Sequence, residues 1–150
     1  MTNIDKQLRE FLAAGTAGVF EASSSDVAVE CEFSSIDSMA CAINTLSVCF
    51  PAARSPDQLR KTCDALSVKL SYLLEPLDII ECDAELSSIQ MRSNPPQVDE
   101  RTRRYYELTA TPNRLALCRF EKPLGQSRMP IESVFTHEVA MRLIEDLVGA

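Results

Sequence analysis

The sequence predicts an α+β fold, with an antiparallel β-sheet of about five to six strands packed against two to three helices. Three observations lead there. Short runs alternate apolar and polar residues with period two, as half-buried strands do. Stripes of helical period stand at the start, the middle and the end of the chain. The strand runs are grouped between the helices instead of alternating one for one with them, which favours an antiparallel sheet covered on one side. The expected order is α-β-β-β-α-β-β-β-α. At 150 residues the chain reads as a single domain, 1–150, able to bury roughly 68–70% of the surface its unfolded chain exposes.

The first helix opens at Thr2, with Asp5 completing a capping box, and carries Ile4, Leu8, Phe11 and Leu12 on one stripe before Gly15 ends it. Two strand runs follow, "AGVFEAS" and "DVAVECEF". In the second, Val27, Val29, Cys31 and Phe33 alternate with Ala28, Glu30 and Glu32, and Ser23–Ser25 with Asp26 supplies the turn between the runs. Residues 36–50 admit two readings. Ile36, Met39, Ala40, Ile43, Leu46 and Phe50 fit a helical period, whereas Leu46, Val48 and Phe50 alternate as a strand after a turn at 35–38. The poor helix formers Asn44, Thr45, Ser47, Val48 and Cys49 favour the strand.

The central helix has the strongest start signal in the chain. Ser55, Pro56, Asp57 and Gln58 provide an N-cap, a first-turn proline, an acid for the helix dipole and a capping-box partner. Leu59, Cys63, Leu66, Leu70, Leu73 and Leu74 form its expected buried face, and Pro76 ends it. In "LDIIECDAELSSIQMR", Ile80, Cys82, Ala84 and Leu86 are expected inward, with Glu81, Asp83 and Glu85 outward. The parity changes at Ser87–Ser88, which reads as a bulge. "SNPPQVDERT" is a polar loop. Tyr106 with Leu108, and Leu115 with Leu117, mark a hairpin turning at "TATPN", and "KPLGQSRMP" is a second loop. A last helix carries Val139, Leu143, Ile144, Leu147 and Val148, with Phe135 or Thr136 near its cap.

Charge and composition narrow the function. The net charge is −7, yet residues 91–123 hold 7 Lys and Arg against 4 Asp and Glu, while residues 1–90 hold 6 against 14. The acidic surroundings oppose the many phosphate contacts that general nucleic-acid binding needs, so nucleic acid is an unlikely partner. No apolar run is long enough for a transmembrane helix, and the charged residues near the N-terminus do not suit a signal peptide. A cytoplasmic location without membrane association is therefore expected. The 6 cysteines include no C-x-x-C pair, lie among apolar neighbours, and read as reduced core residues.

Constellations for catalysis are missing from the sequence. There is no glycine-rich phosphate loop and no G-x-S-x-G elbow, and the single histidine is His137. His137 could serve as a general base, or simply stand in the first turn of the last helix. Glu81, Asp83 and Glu85 could approach a hard cation, or form a solvated, aggregation-resistant strand face. No catalytic residue, metal ligand or cofactor is assigned. The candidate partner-binding residues are Arg101, Arg103, Arg104, Tyr105 and Tyr106, because arginine and tyrosine combine flat contact area with directed donors.

In size, acidity and element order the whole chain resembles the class I type III secretion chaperones. That resemblance implies a homodimeric, non-enzymatic protein that binds an extended segment of a protein partner, and it transfers no site residues. The expected function is thus a non-catalytic adaptor or chaperone-like module. The alternative is a small-ligand- or metal-binding domain, or a minor enzyme, with a pocket between sheet and helices.

Overall fold

The alternating runs become strands of one antiparallel sheet, and the three stripes become helices on one of its faces. The structure, a computed structural model, describes residues 3–83, 85 and 87–150. In chain order its elements are α1 (Asn3–Ala14), β1 (Gly18–Ser24), β2 (Val27–Ile36), β3 (Ala40–Cys49), α2 (Pro56–Lys69) with a 3-10 turn at Leu70–Leu73, β4 (Leu77–Asp83) and β5 (Ser88–Ser93). There follow β6 (Gln97–Val98), β7 (Thr102–Thr111), β8 (Arg114–Pro123), β9 (Met129–Ile131), β10 (Ser133–Thr136) and α3 (His137–Val148). The α+β class and the antiparallel pairing agree with the sequence reading. The sheet has ten strands, not five to six, and the second half of the expected order is incomplete.

Across the sheet the strands run β1-β2-β3-β8-β7-β5-β4, with β10 beside β3, β6 beside β7 and β9 beside β8. The extra strands come from two places. Residues 77–92, read as one bulged strand, are two: the chain reverses near Ser87, which takes a positive φ of 49°, and β4 then pairs with β5. The parity change in the sequence is therefore a hairpin turn. The second source is a fork. β3 and β8 pair only from Leu46–Cys49 to Arg114–Leu117 and then diverge. Residues 129–136 enter the gap, first pairing with β8 and then with β3. The expected loop "KPLGQSRMP" reaches only the first two residues of that segment, and no strand was expected in the rest.

The two readings of residues 36–50 have one physical cause. Asp37 accepts hydrogen bonds from the backbone N–H groups of Met39 and Ala40, at 2.8 and 2.7 Å, and turns the chain. β3 follows as a strand, but the register with β2 shifts so that Asn44 is an extra residue between Ile43 and Leu46. Both of those side chains then point into the core. A three-residue spacing of buried positions imitates a helix, and the bulge produces it. Asp37 itself has its carboxyl pKa lowered, first by the Met39 and Ala40 amides.

The helix termini agree closely with their signals. Ser55 caps α2 in a complete capping box with Gln58, Thr136 caps α3, and Gly15 takes a φ of 70° where α1 ends. The Thr2 cap lies outside the described residues, as do Ala84 and Leu86. Leu46, Leu117, Leu108 and Met91 align in one row across four strands and are all buried. Over this face lie Leu8 and Leu12 of α1, Leu59, Cys63 and Leu66 of α2, and Ala140, Leu143, Ile144 and Leu147 of α3. Three expected core positions are corrected. Leu74 follows the 3-10 turn with a positive φ of 65° and is exposed. Ile80 and Cys82 are exposed because β4 is an edge strand whose register slips between Ile79 and Glu81, leaving Ile79 to pack inward.

The cysteines divide as well. Cys31, Cys41 and Cys63 are buried, Cys118 is half-buried, and Cys49 and Cys82 are exposed. All six are free thiols. Burial pushes the thiols of Cys41 and Cys63 up to about 11, from an ordinary 9.0. Those groups stay protonated in the folded chain while the unfolded chain ionises. Their contribution to stability is thus complete below pH 9 and declines as pH rises toward 11. In the native state we expect two thiols, Cys49 and Cys82, to react rapidly with a disulfide reagent, and single Cys→Ala variants should each remove one. For Leu108→Ala, at the centre of the covered row, the expected loss is about 2–5 kcal/mol in urea unfolding. Replacement of the Ser55 cap by Ala should cost only about 1 kcal/mol.

Candidate functional site

The hairpin β7–β8 leads out of the core in steps of two residues. Leu108 faces Leu117 beneath the helices, Tyr106 faces Arg119 in the next row, and Arg104 faces Glu121 in the row beyond. The same face of the sheet thus passes from leucine to an aromatic–arginine pair and then to an ion pair. At this end an open groove of about 790 Å³ lies on the sheet. Arg104, Tyr106 and Arg119 form its floor. Residues 73–76 and 95–97 flank it on the β4–β6 side, and Ile131, Glu132 and Val134 flank it on the β9–β10 side. Leu74 is 89% exposed and Val134 65%, so the groove presents apolar groups to solvent.

Arg119 is the most constrained charge in this region. Its residue is 7% exposed, and its guanidinium lies 4.3 Å from the centre of the Tyr106 ring. Nη2 donates to Gln97 Oε1 at 3.0 Å and forms a salt bridge with Glu75 Oε2 at 2.9 Å. Tyr106 in turn stacks on Phe135, with ring centres 6.1 Å apart, and its backbone N–H donates to Ser93 Oγ. Burial raises the Tyr106 hydroxyl pKa, while Arg119 opposes the shift and Glu75 reinforces it. Two atoms of the Arg119–Glu75 pair, Nη1 and Oε1, are buried without a hydrogen-bond partner among the described residues. Such orphaned donors and acceptors cost free energy wherever they occur.

A second cluster occupies the opposite face of the same hairpin. Glu107 is 4% exposed, although it stands on the face opposite Leu108 and the helix-covered row. It accepts from Arg92 Nη2 at 3.0 Å and from Arg128 Nη1 at 2.6 Å. The Arg128 guanidinium lies 3.9 Å from the centre of the Phe120 ring, and that of Arg92 lies 4.8 Å from the Tyr105 ring. Tyr105 and Phe120 are themselves neighbours at 5.9 Å. The effect is to fold the loop bearing Arg128 back across the sheet, sealing one carboxylate between two guanidinium groups.

These geometries divide the five sequence-nominated residues among three places. Arg104 and Tyr106 come together in the groove. Arg104 is held there by Glu121 at 3.1 Å and by Asp99 at 3.6 Å. Tyr105 belongs to the opposite face, and both tyrosines are buried. Arg101 and Arg103 are exposed and line a separate depression of about 270 Å³ with Lys122 and Leu124. Arg119, Glu75, Glu107 and Arg128 are the additions that sequence reading missed. Only Arg119 carried a usable signal, since a charge on the Leu115–Leu117 parity falls on the buried face. Glu75 and Arg128 are brought in by connections whose paths no local pattern specifies.

Other nominated groups have structural partners. His137 is the first residue of α3; its Nε2 lies 3.2 Å from Ala40 O, and its N–H donates to Met39 O, tying the helix start to the β2–β3 turn. Asp83 Oδ1 accepts from the Glu85 N–H in the β4–β5 turn. No group of three His, Cys, Asp or Glu side chains among the described residues could hold a metal ion. Also among the described residues, no helix is long and apolar enough to cross a membrane. Comparison with protein-family models, curated proteins and solved structures gives no match.

The Glu107→Ala substitution should release the loop at 124–128. We expect faster tryptic cleavage after Arg128 and a stability loss of about 1–3 kcal/mol, since two guanidinium groups lose their acceptor. Unchanged cleavage and stability would mean that the cluster does not hold the loop.

Proposed function

We propose that the protein is a non-catalytic, protein-binding module, adaptor or chaperone-like in type, which holds an extended segment of a partner in the groove at the end of the sheet. The observation that supports this is an open concavity with the exposed apolar side chains of Leu74 and Val134 beside it and a polar, braced floor of Arg104, Tyr106 and Arg119. Exposed apolar groups at a rim with few fixed polar groups beneath suit a polypeptide more than a small metabolite. Arg101 and Arg103 extend the contact around the open end of the hairpin. Homodimerisation and a cytoplasmic setting belong to the same reading, as does the resemblance in size, acidity and element order to the class I type III secretion chaperones. The small-ligand alternative has weaker support. The cleft between α2 and the β4–β5 hairpin measures about 190 Å³, below the roughly 300–1,000 Å³ usual for ligand sites, and the larger concavity of about 660 Å³ between α1 and β1–β3 is lined mostly by polar and small side chains such as Gln7, Glu21, Ser23, Glu30 and Ser47.

Affinity capture from native cell extract tests the proposal. The unmodified protein should recover one partner near one-to-one. The triple variant Arg101→Glu, Arg103→Glu, Arg104→Glu and the double variant Leu74→Asp, Val134→Asp should both lose it while keeping their circular dichroism spectra. A partner retained by both variants would refute the groove and its rim as the binding surface. Light scattering should give twice the chain mass for the isolated protein, and a monomer would remove the dimer from the proposal.

A further inference from the structure

We infer that the sheet face opposite the buried Leu46–Leu117–Leu108 row is the interface of the homodimer, and that charges of opposite sign at its two ends select a second copy of this chain. The inference rests on the homodimer proposed above and adds the surface that makes it. Glu21 of β1 lies directly opposite Glu30 of β2, and Arg103 of β7 directly opposite Lys122 of β8. All four residues are exposed, and their parity sets them on one face. Glu30, Ser47, Ala116 and Thr109 form a row across β2, β3, β8 and β7, and Arg103 and Lys122 stand farther along the last two strands on the same parity. Among the described residues none of the four, nor Arg114 opposite Cys49 on this face, forms a salt bridge. Like charges directly opposite on a sheet destabilise it, so each pair is a cost that the single chain leaves unrelieved. Neighbours strengthen the contrast: Glu32 adds an acid beside the first pair, meeting only the Asn44 amide at 3.3 Å, while near the second Arg92 and Arg128 outnumber the Glu107 they enclose.

A two-fold axis lying between two such faces, midway between the charged pairs, sets the acidic pair of each copy on the basic pair of the other. Both pairs are met at once. A partner of uniform sign would meet only one of them. The pairs stand about 25 Å apart along the sheet, by the usual spacing of strands and residues. A patch of that span matches the roughly 800 Å² per partner that a stable interface buries. Between the pairs Ser47, Ala116, Thr109 and Cys118 have short side chains, so a second sheet meets few bulky groups at the usual separation of about 10 Å. Toward the basic end Arg92 and Arg128 cover the Tyr105 and Phe120 rings and present cations outward. The charges fix the register of the contact and reject wrong partners, more than they supply its affinity.

The test follows self-association of the intact chain by sedimentation equilibrium. Three variants are compared with it: Glu21→Lys with Glu30→Lys, Arg103→Glu with Lys122→Glu, and all four changes together. Each double variant exchanges one like-charged pair for another, so its circular dichroism spectrum and thermal midpoint in dilute solution should not change. Each should raise the dimer dissociation constant about a hundredfold or more, since like charges then meet at both contacts of the two-fold interface. The quadruple variant should recover the unmodified constant to within about tenfold. Mixed in equal amounts, the two double variants should form a one-to-one heterodimer, because one is basic at both ends of the face and the other acidic. A dimer that tolerates either double variant, a quadruple variant that stays monomeric, or double variants that ignore each other on mixing would each overturn the inference. If the unmodified chain is dimeric in those cases, the homodimer stands on another surface and only this interface falls; an unmodified monomer removes both. Arg103 also belongs to the proposed partner surface, and Leu74→Asp, Val134→Asp separates the two sites. That variant should lose the cellular partner and stay dimeric, whereas a monomer would move the dimer contact to the groove and overturn the inference.

Discussion

Burial of one face of a wide antiparallel sheet, under helices that stop short of its end, is the constraint on which the rest of this molecule depends. Residues of the covered row such as Leu46, Leu108 and Leu117 contribute roughly 1.5–3 kcal/mol each by leaving water. They also set the register, because a one-residue slip in any strand would turn its apolar set to solvent. The bulges at Asn44 and near Ile80 are local adjustments to that demand. In β3 the adjustment keeps both Ile43 and Leu46 inside, whereas in the edge strand β4 it leaves Ile80 in solvent.

Where the helices end, the same face must be completed by other means. The chain uses long side chains with apolar bodies and polar ends: Tyr106 stacked on Phe135, and Arg119 laid over Tyr106 with its charge met by Glu75. The opposite face follows a similar rule without helices, since Glu107, Arg92, Arg128, Tyr105 and Phe120 shield one another. Arginine on an aromatic ring therefore recurs on both sides of β7–β8. This explains why the most basic part of an acidic chain coincides with its aromatic hairpin: several of these cations brace the sheet, while Arg101 and Arg103 remain exposed.

The groove is a consequence of the fork between β3 and β8. Divergence opens the sheet, residues 129–136 refill it as two short strands, and the bend between them places Ile131, Glu132 and Val134 across from residues 73–76. The proposed adaptor role uses this shape, and its polar centre is the ion pair that ends the core. Arg119 is held there by Glu75, Gln97 and the Tyr106 ring, too firmly to be a free surface charge.

Much of this architecture was legible in local pattern. The α+β class, the capping box at Ser55, the turn at Ser25–Asp26 and the β7–β8 hairpin follow from period, cap chemistry and turn residues acting over a few positions. Leu74, Ile80 and Cys82 were misplaced because their exposure depends on a 3-10 termination and on an edge position, neither of which a hydrophobic pattern encodes. Of the nominated site, the sequence could place arginine and tyrosine close together. It could not decide that adjacent residues Tyr105 and Tyr106 serve opposite faces of the sheet in different clusters. By itself, then, the sequence determined the three helices, the strands β1, β2, β7 and β8, and most of the helix ends, because those are set by interactions within a few residues. Only the tertiary structure decided the fork, the partners of Arg119 and Glu107, and the groove, because each depends on segments far apart in sequence meeting at the margin of one sheet.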